Sequence, residues 1–206
     1  MIRWLAVLAV VVAVAAQRPE VCDSPAQWSA NMVIFDPVEG HEFAMEAKYY
    51  YDKTGLRKAR IEQIDPGRNT THRYVHVIEL FAEHKAYYID LGTRDCVERS
   101  LDRPGSLDGF HPHDVPAEAS FRGLFYIGSD AVSEGHVEAS AWDYYFSDRG
   151  YFWHGTFTTH GCIPLRSDGF NHTTFGARFE EFFDVVPGIS DPNVFVPPSN
   201  CHPEKH

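Results

Sequence analysis

The chain has 206 residues and a formal net charge of −11. Such acidity argues against nucleic acid and anionic lipid surfaces as partners. With 44% hydrophobic residues, 15 Phe and 10 Tyr, the chain is too apolar to be disordered, and its aromatics favour strands.

Residues 1–16 read as an export signal. Arg3 is a short basic region, Leu5 to Val12 an apolar stretch too short to span a bilayer, and Ala13-Val14-Ala15 a small-residue cleavage pattern. Arg3 is the only charge there, so cleavage takes the net charge from −11 to −12. About 190 residues remain, 17–206, enough for one domain with a sizeable core. The protein is therefore expected outside the cell. There Cys22, Cys96, Cys162 and Cys201 meet an oxidising compartment. Four cysteines allow three pairings, and no two lie close enough for a zinc knuckle.

The mature chain reads as strand, turn, strand. Phe43, Met45, Ala47, Tyr49 and Tyr51 alternate with polar residues, which predicts a half-buried strand. Asp52-Lys53-Thr54-Gly55 is a hairpin turn with a left-handed glycine. Leu56 to Ile64 returns, and Asp65-Pro66-Gly67 turns again. Tyr74 to Phe81 and Ala86 to Leu91 form a hairpin across Glu83-His84-Lys85. Ser120 to Ile127, His136 to Phe146, Tyr151 to Thr159 and Thr174 to Val185 complete the predicted strands, with Gly128-Ser129-Asp130 and Ser147 to Gly150 as breaks. Asp114 to Ser120 holds at most one helical turn. The tail from Pro187 to Pro198 has four prolines and reads as extended or irregular. Regular short strands of this kind predict an all-β antiparallel sandwich or barrel.

Asn69-Thr70-Thr71 and Asn171-His172-Thr173 are glycosylation sequons in polar, turn-like stretches. No catalytic constellation stands out: there is no Gly-x-Ser-x-Gly elbow, phosphate loop or His-Glu-x-x-His. His111-Pro112-His113 reads as a solvated loop rather than a metal site. No EF-hand loop is present. An irregular calcium site around Asp184 or Asp191 stays open beside their reading as surface acids. Tyr144-Tyr145-Phe146 and Tyr151-Phe152-Trp153 place aromatics on both faces of their strands. A second apolar face must be covered by core packing, a partner subunit or an apolar ligand.

Three segments carry a resemblance. Cys22-Asp23-Ser24-Pro25-Ala26-Gln27-Trp28 opens the mature chain. Phe121-Arg122-Gly123-Leu124-Phe125-Tyr126-Ile127-Gly128 lies in its middle. Asp191-Pro192-Asn193-Val194-Phe195-Val196-Pro197-Pro198-Ser199-Asn200-Cys201 closes it, with Phe182-Phe183-Asp184 just upstream. In this order the chain resembles the ependymin family. The resemblance implies a secreted glycoprotein with two stacked antiparallel sheets forming a half-open sandwich, similar to bacterial lipoprotein carriers. It implies an apolar pocket between the sheets, a homodimer, an association with calcium, and a role in lipid or fatty-acid binding or in cell–matrix adhesion. It implies no enzymatic activity. It pairs Cys22 with Cys162 and Cys96 with Cys201. Asn171 matches a family glycan position, and Asn69 is particular to this chain. Vertebrate members have a further cysteine pair that is absent here, and Glu118-Ala119-Ser120 replaces a vertebrate-type glycan site. The pocket lining is expected among Phe125, Trp142, Tyr144, Phe146, Phe157, Phe175 and Phe179.

Overall fold

The computed structural model describes residues 19–35, 44–64, 73–101, 113–129, 135–148, 150–172 and 176–204. The export signal, Asn69, the Asp65 turn, His111, Pro112 and Phe175 lie outside the described residues. The strands are β1 (Gln27–Phe35), β2 (Ala44–Asp52), β3 (Arg57–Ile64), β4 (Arg73–Leu80), β5 (Lys85–Asp90), β6 (Cys96–Ser100), β7 (Ser120–Gly128), β8 (His136–Phe146), β9 (Tyr151–Thr158), β10 (Pro164–Asn171), β11 (Gly176–Pro187) and β12 (His202–Pro203). Among the described residues no helix is long and apolar enough to cross a membrane.

All twelve belong to one open sheet, ordered β12-β6-β5-β4-β3-β2-β1-β11-β10-β9-β8-β7. The all-β antiparallel expectation holds, and the expected two sheets are joined into one. The joint is β1, which pairs antiparallel with β2 on one side and β11 on the other. Two simple meanders, β2 to β6 and β7 to β11, thus flank a shared central strand. Within β1, Trp28, Ala30, Met32 and Ile34 are buried and Gln27, Asn31 and Phe35 exposed, the period-two pattern of a strand with one core face. The face bearing Trp28 is termed the inner face, and its opposite the outer face.

Strand registers carry this assignment across the sheet, because directly paired residues share a face. The outer face of β3 to β6 is roofed by the C-terminal tail. Phe195, in a short 3₁₀ turn over Pro192–Phe195, is buried with Ala59, Ile78, Tyr87, Ile89 and Cys96. The Arg57 guanidinium lies 4.3 Å from the centroid of the Phe195 ring. The Cys96–Cys201 disulfide and the parallel β12–β6 pairing fasten the tail beyond it. Its cysteines are 105 residues apart, a closure worth about 4–5 kcal/mol on chain entropy. The second disulfide, Cys22–Cys162, ties the N-terminal segment to the β9–β10 turn.

Some expectations change in detail. The β2–β3 turn forms where predicted, but its left-handed residue is Leu56 at φ 48°, not Gly55. Asp52 accepts hydrogen bonds from Gly55 N at 2.9 Å and Arg57 Nε at 2.8 Å, and this side-chain turn moves the left-handed step one residue on. The strands β1, β6, β10 and β12 lie outside the sequence expectations. Over Asp114 to Ser120 a single turn forms, with Ala119 N donating to Pro116 O at 2.9 Å.

The tail is expected to be a structural roof. Phe195→Ala should lower unfolding free energy by about 3–5 kcal/mol with both disulfides intact, read from urea denaturation of the oxidised protein. A loss below about 1 kcal/mol would show that the tail lies on the sheet without stabilising it.

Candidate ligand-binding face

The inner face divides into an aromatic wall, a plug and an ionic belt. The wall belongs to β7, β8 and β9. Registers Tyr144↔Trp153, Phe146↔Tyr151, Trp142↔Gly155 and Phe121↔Trp142 put these side chains on one face. Trp142, Trp153 and Phe157 are buried there, with Phe121, Tyr144, Phe146 and Tyr151 half-buried against them. Two glycines make the wall possible. A Cβ at Gly155 would collide with the Trp153 ring, and one at Gly169 with the Tyr151 ring and hydroxyl. Without side chains at these positions, both aromatic rings can lie along the sheet. The Trp142 indole donates to Ser140 Oγ at 2.9 Å and the Trp153 indole to Ser167 Oγ at 3.2 Å, so both are satisfied in place.

The plug is residues 113–119. His113 is buried, its ring 5.1–5.8 Å from the centroids of Trp28, Tyr49, Tyr51 and Phe182. Its Nε2 is 2.9 Å from Tyr49 Oη, and its backbone N donates to Tyr51 Oη at 3.3 Å. The expected solvated loop is corrected at this residue, because four aromatic rings give the imidazole more contact than water would. Asp114 holds the plug's edge. It accepts from Ser24 N at 2.9 Å and pairs with Lys53 Nζ at 2.5 Å. Val115 N donates to Cys22 O at 3.1 Å, next to the Cys22–Cys162 disulfide.

The ionic belt crosses the middle of the same face. Lys58, Arg60 and Glu62 on β3 pair in register with Tyr51, Tyr49 and Ala47 on β2. Glu79 on β4 lies opposite Lys58, and Glu180 on β11 lies opposite Ile34 of β1. Arg178 shares the Glu180 face two residues away. Arg60 donates to Glu62 Oε2 at 2.7 Å and Glu79 Oε2 at 3.3 Å, and Arg178 donates to Glu180 Oε1 at 2.6 Å. The two halves of the belt interact across β1 and β2. Burial opposes ionisation of Glu180, but Arg178, His113 and Lys58 outweigh it and hold the carboxyl below its ordinary value. Burial pushes the Lys58 ammonium down against the pull of Glu79 and Glu180. Burial, then Glu180 and Glu79, raise the Tyr49 hydroxyl, and burial, then Glu180, push Tyr151 up to about 12. These influences link β3 and β4 with β11 across β2 and β1, and β11 with β9 across β10.

The expected pocket residues divide between the faces. Trp142, Tyr144, Phe146 and Phe157 stand on the inner face. Phe125 and Phe179 do not, and this corrects the expectation of one shared lining. Phe125 pairs with Ala139 and Phe179 with Asp168 and Phe35, all on the outer face. Strand parity decides this: Phe179 is three residues from inner-facing Phe182, and Ala139 three from Trp142. Sequence reasoning missed the belt and the plug. Arg60-x-Glu62 and Arg178-x-Glu180 did carry a signal, since spacing by two places opposite charges side by side on one face.

Two shallow grooves lie on the outer face. One, of about 270 Å³, is bounded by Arg57, Leu80, Phe195 and Pro197, and the other, of about 330 Å³, by Val33, Phe35, Arg166, Phe179 and Glu181. Neither reaches the inner wall. Asp184 accepts from Asn31 Nδ2 at 2.8 Å, and Asp191 accepts from Asn193 N and Nδ2, both at 2.9 Å. Among the described residues no group of three or more His, Cys, Asp or Glu side chains is placed to hold a metal. Asn171 ends β10.

An all-β open sheet with a partly exposed aromatic face has the features of a binding protein. The ependymin family profile matches residues 69–201, and the chain belongs to this family. It is 28% identical over 193 residues to "Mammalian ependymin-related protein 1" of Mus musculus, covering 91% of this chain and 80% of that one. It is likewise 28% identical over 192 residues to "Ependymin" of Notemigonus crysoleucas, covering 92% and 83%. A "putative outer membrane lipoprotein-sorting protein domain" from Vibrio parahaemolyticus aligns over 82% of this chain and 89% of its own, at 10% identity and a TM-score of 0.38. A likeness that weak carries no functional weight.

The Glu180 environment has a pH signature. Its folded carboxyl lies below its ordinary value. Its contribution to stability is therefore complete above the unfolded value of about 4.3 and is lost as pH falls through the lower folded value. Glu180→Gln should flatten the acid limb of the stability curve relative to wild type, measured by urea denaturation at a series of pH values. Parallel acid limbs would place Glu180 outside the belt's charge balance.

Proposed function

We propose that the mature chain, residues 17–206, is a secreted glycoprotein that carries a hydrophobic ligand, a lipid or fatty acid, on its inner face. The observation that carries this reading is the aromatic wall, where Tyr144, Phe146 and Tyr151 are only half-buried beside the fully buried Trp142 and Phe157. Partly open aromatics on one face are what a non-directional, apolar ligand needs. Glycans on Asn69 and Asn171 belong to the same reading. No enzymatic step is proposed, and no residues are assigned to calcium.

Affinity should rise with acyl chain length by about 0.8 kcal/mol per methylene, about fourfold each, until the wall is covered. Displacement of a fluorescent fatty acid measures this. If no ligand longer than about ten carbons binds below ~100 μM, the carrier reading fails and adhesion takes its place.

The outer face supports a second element of the proposal, a homodimer. Phe35, Phe125, Tyr145, Phe152, Phe170 and Phe183 are all exposed on it. Phe152 and Phe170 are direct cross-strand partners, as are Tyr145 and Phe152. Among the described residues the tail packs on this face over β2 to β6. An exposed apolar patch of this kind marks an interface, and one patch used twice about a two-fold axis gives a closed dimer. The adhesion alternative uses the same patch for a matrix protein. Light scattering at micromolar concentration should report about twice the chain mass, and Phe170→Glu should return the monomer. A wild-type monomer would leave the patch to a different protein.

A further inference from the structure

The belt bears on which ligand the inner face accepts, and the inference rests on the carrier reading above. Lys58, Arg60 and Arg178 are three cations; Glu62, Glu79 and Glu180 are three anions, so the belt is formally neutral. All six lie on the ligand face, beside the wall and not beneath it. Arg178 occupies the same cross-strand row as Gly169, Trp153 and Tyr144, and Glu180 the same row as Ser167, Gly155 and Trp142. Arg60 lies across the row of Tyr49 and Ala30.

An acyl chain laid across these groups would strip water from six charges and return nothing to them. The part of a ligand that reaches the belt must therefore be polar. Net charge decides which polar group. A purely anionic head drawn to Arg178 or Lys58 meets Glu180 and Glu79 within the same cluster. It also approaches a mature chain carrying −12 overall, −11 less Arg3, whose field repels it at long range. A head with no charge leaves the belt's outward-facing polar atoms without their water. A head with one charge of each sign can turn each end toward its opposite.

We propose that the ionic belt of the inner face selects zwitterionic amphiphiles, with the acyl chains against the half-buried Tyr144, Phe146 and Tyr151 of the wall and a dipolar head group of the phosphocholine kind at the adjoining Arg178–Glu180 pair. The belt is the specificity element of the site, and the wall its source of affinity.

Three soluble lipids with the same tails separate the terms: dihexanoylphosphatidylcholine, dihexanoylphosphatidylglycerol and dihexanoylglycerol. Titrated calorimetrically into the mature protein below their critical micelle concentrations, the choline lipid should bind at least about tenfold more tightly than either of the others. Equal affinities, or a preference for the anionic or the uncharged lipid, overturn the head-group inference and leave the carrier reading standing. So does binding of a long-chain fatty acid when none of the three lipids binds. Failure of the fatty acid and all three lipids removes the carrier reading and this inference with it. Glu180→Gln makes the belt net positive and should shift the ranking toward phosphatidylglycerol. Arg178→Gln makes it net negative and should weaken phosphatidylglycerol further. An unchanged ranking in both folded variants contradicts the belt's role. If neither variant folds, the wild-type ranking decides alone.

Discussion

The antiparallel pairing of β1 with both β2 and β11 is the constraint on which the rest depends. Each meander could bury only part of its apolar surface alone. Joined through β1, they share one continuous inner face. Trp28, Met32 and Ile34 of β1 meet Tyr51 and Ala47 from one meander and Phe182 and Glu180 from the other. Because side-chain direction alternates, a one-residue slip at this joint would send the wall, with Arg178 and Glu180, to the face opposite the β3–β4 half of the belt. The β1–β11 pairing already absorbs one irregularity, between Ser29 and Asn31, and the register on either side of it keeps Trp28 and Met32 on the same face. The two disulfides act at the margins of this arrangement. One fastens the N-terminal segment ahead of β1, and the other fastens the tail that roofs β3 to β6.

Much of this is legible in the residues. The alternation of β2, the turn at Asp52, the long aromatic strands β8 and β9 and the irregular tail all follow from period and turn chemistry. The strands that escape do so for physical reasons. The β6 segment Cys-Val-Glu-Arg-Ser is short and mostly polar, because the tail and β12 complete its surroundings from a distance. The β10 segment carries Arg166, Asp168 and Gly169, residue types that weaken a strand signal, and the glycine is explained only by the Tyr151 ring that occupies the space over it. The inner alternation of β1 is clear in retrospect, but nothing local marks it as the strand that joins the sheet. Long-range pairing is the information that a single sequence carries least directly.

The candidate site shows the same division. That aromatics would face a cavity or an interface could be read from Tyr144-Tyr145-Phe146. The segment divides between the two faces, with Tyr144 and Phe146 inward and Tyr145 outward. Assigning Phe125 and Phe179 to the pocket failed because parity is set by the bulge-corrected register, not by residue type. His113 could not be identified as a plug, since its four aromatic neighbours come from β1, β2 and β11. The ionic belt is the feature that most alters the chemistry. A face expected to be uniformly apolar is apolar at its wall and charged at its centre. That combination suits an amphiphile better than a hydrocarbon.

The tryptophans make the central claim directly measurable. Trp4 falls in the expected export signal, residues 1–16, and Trp28, Trp142 and Trp153 all stand on the inner face. A ligand with brominated acyl chains quenches indole fluorescence only at short range. Saturating the mature protein with such a ligand should strongly quench its tryptophan emission, and the unbrominated ligand should compete the quenching away. Saturable binding of the brominated ligand with no quenching would place the acyl chains on the outer face and contradict the inner face as the carrier site.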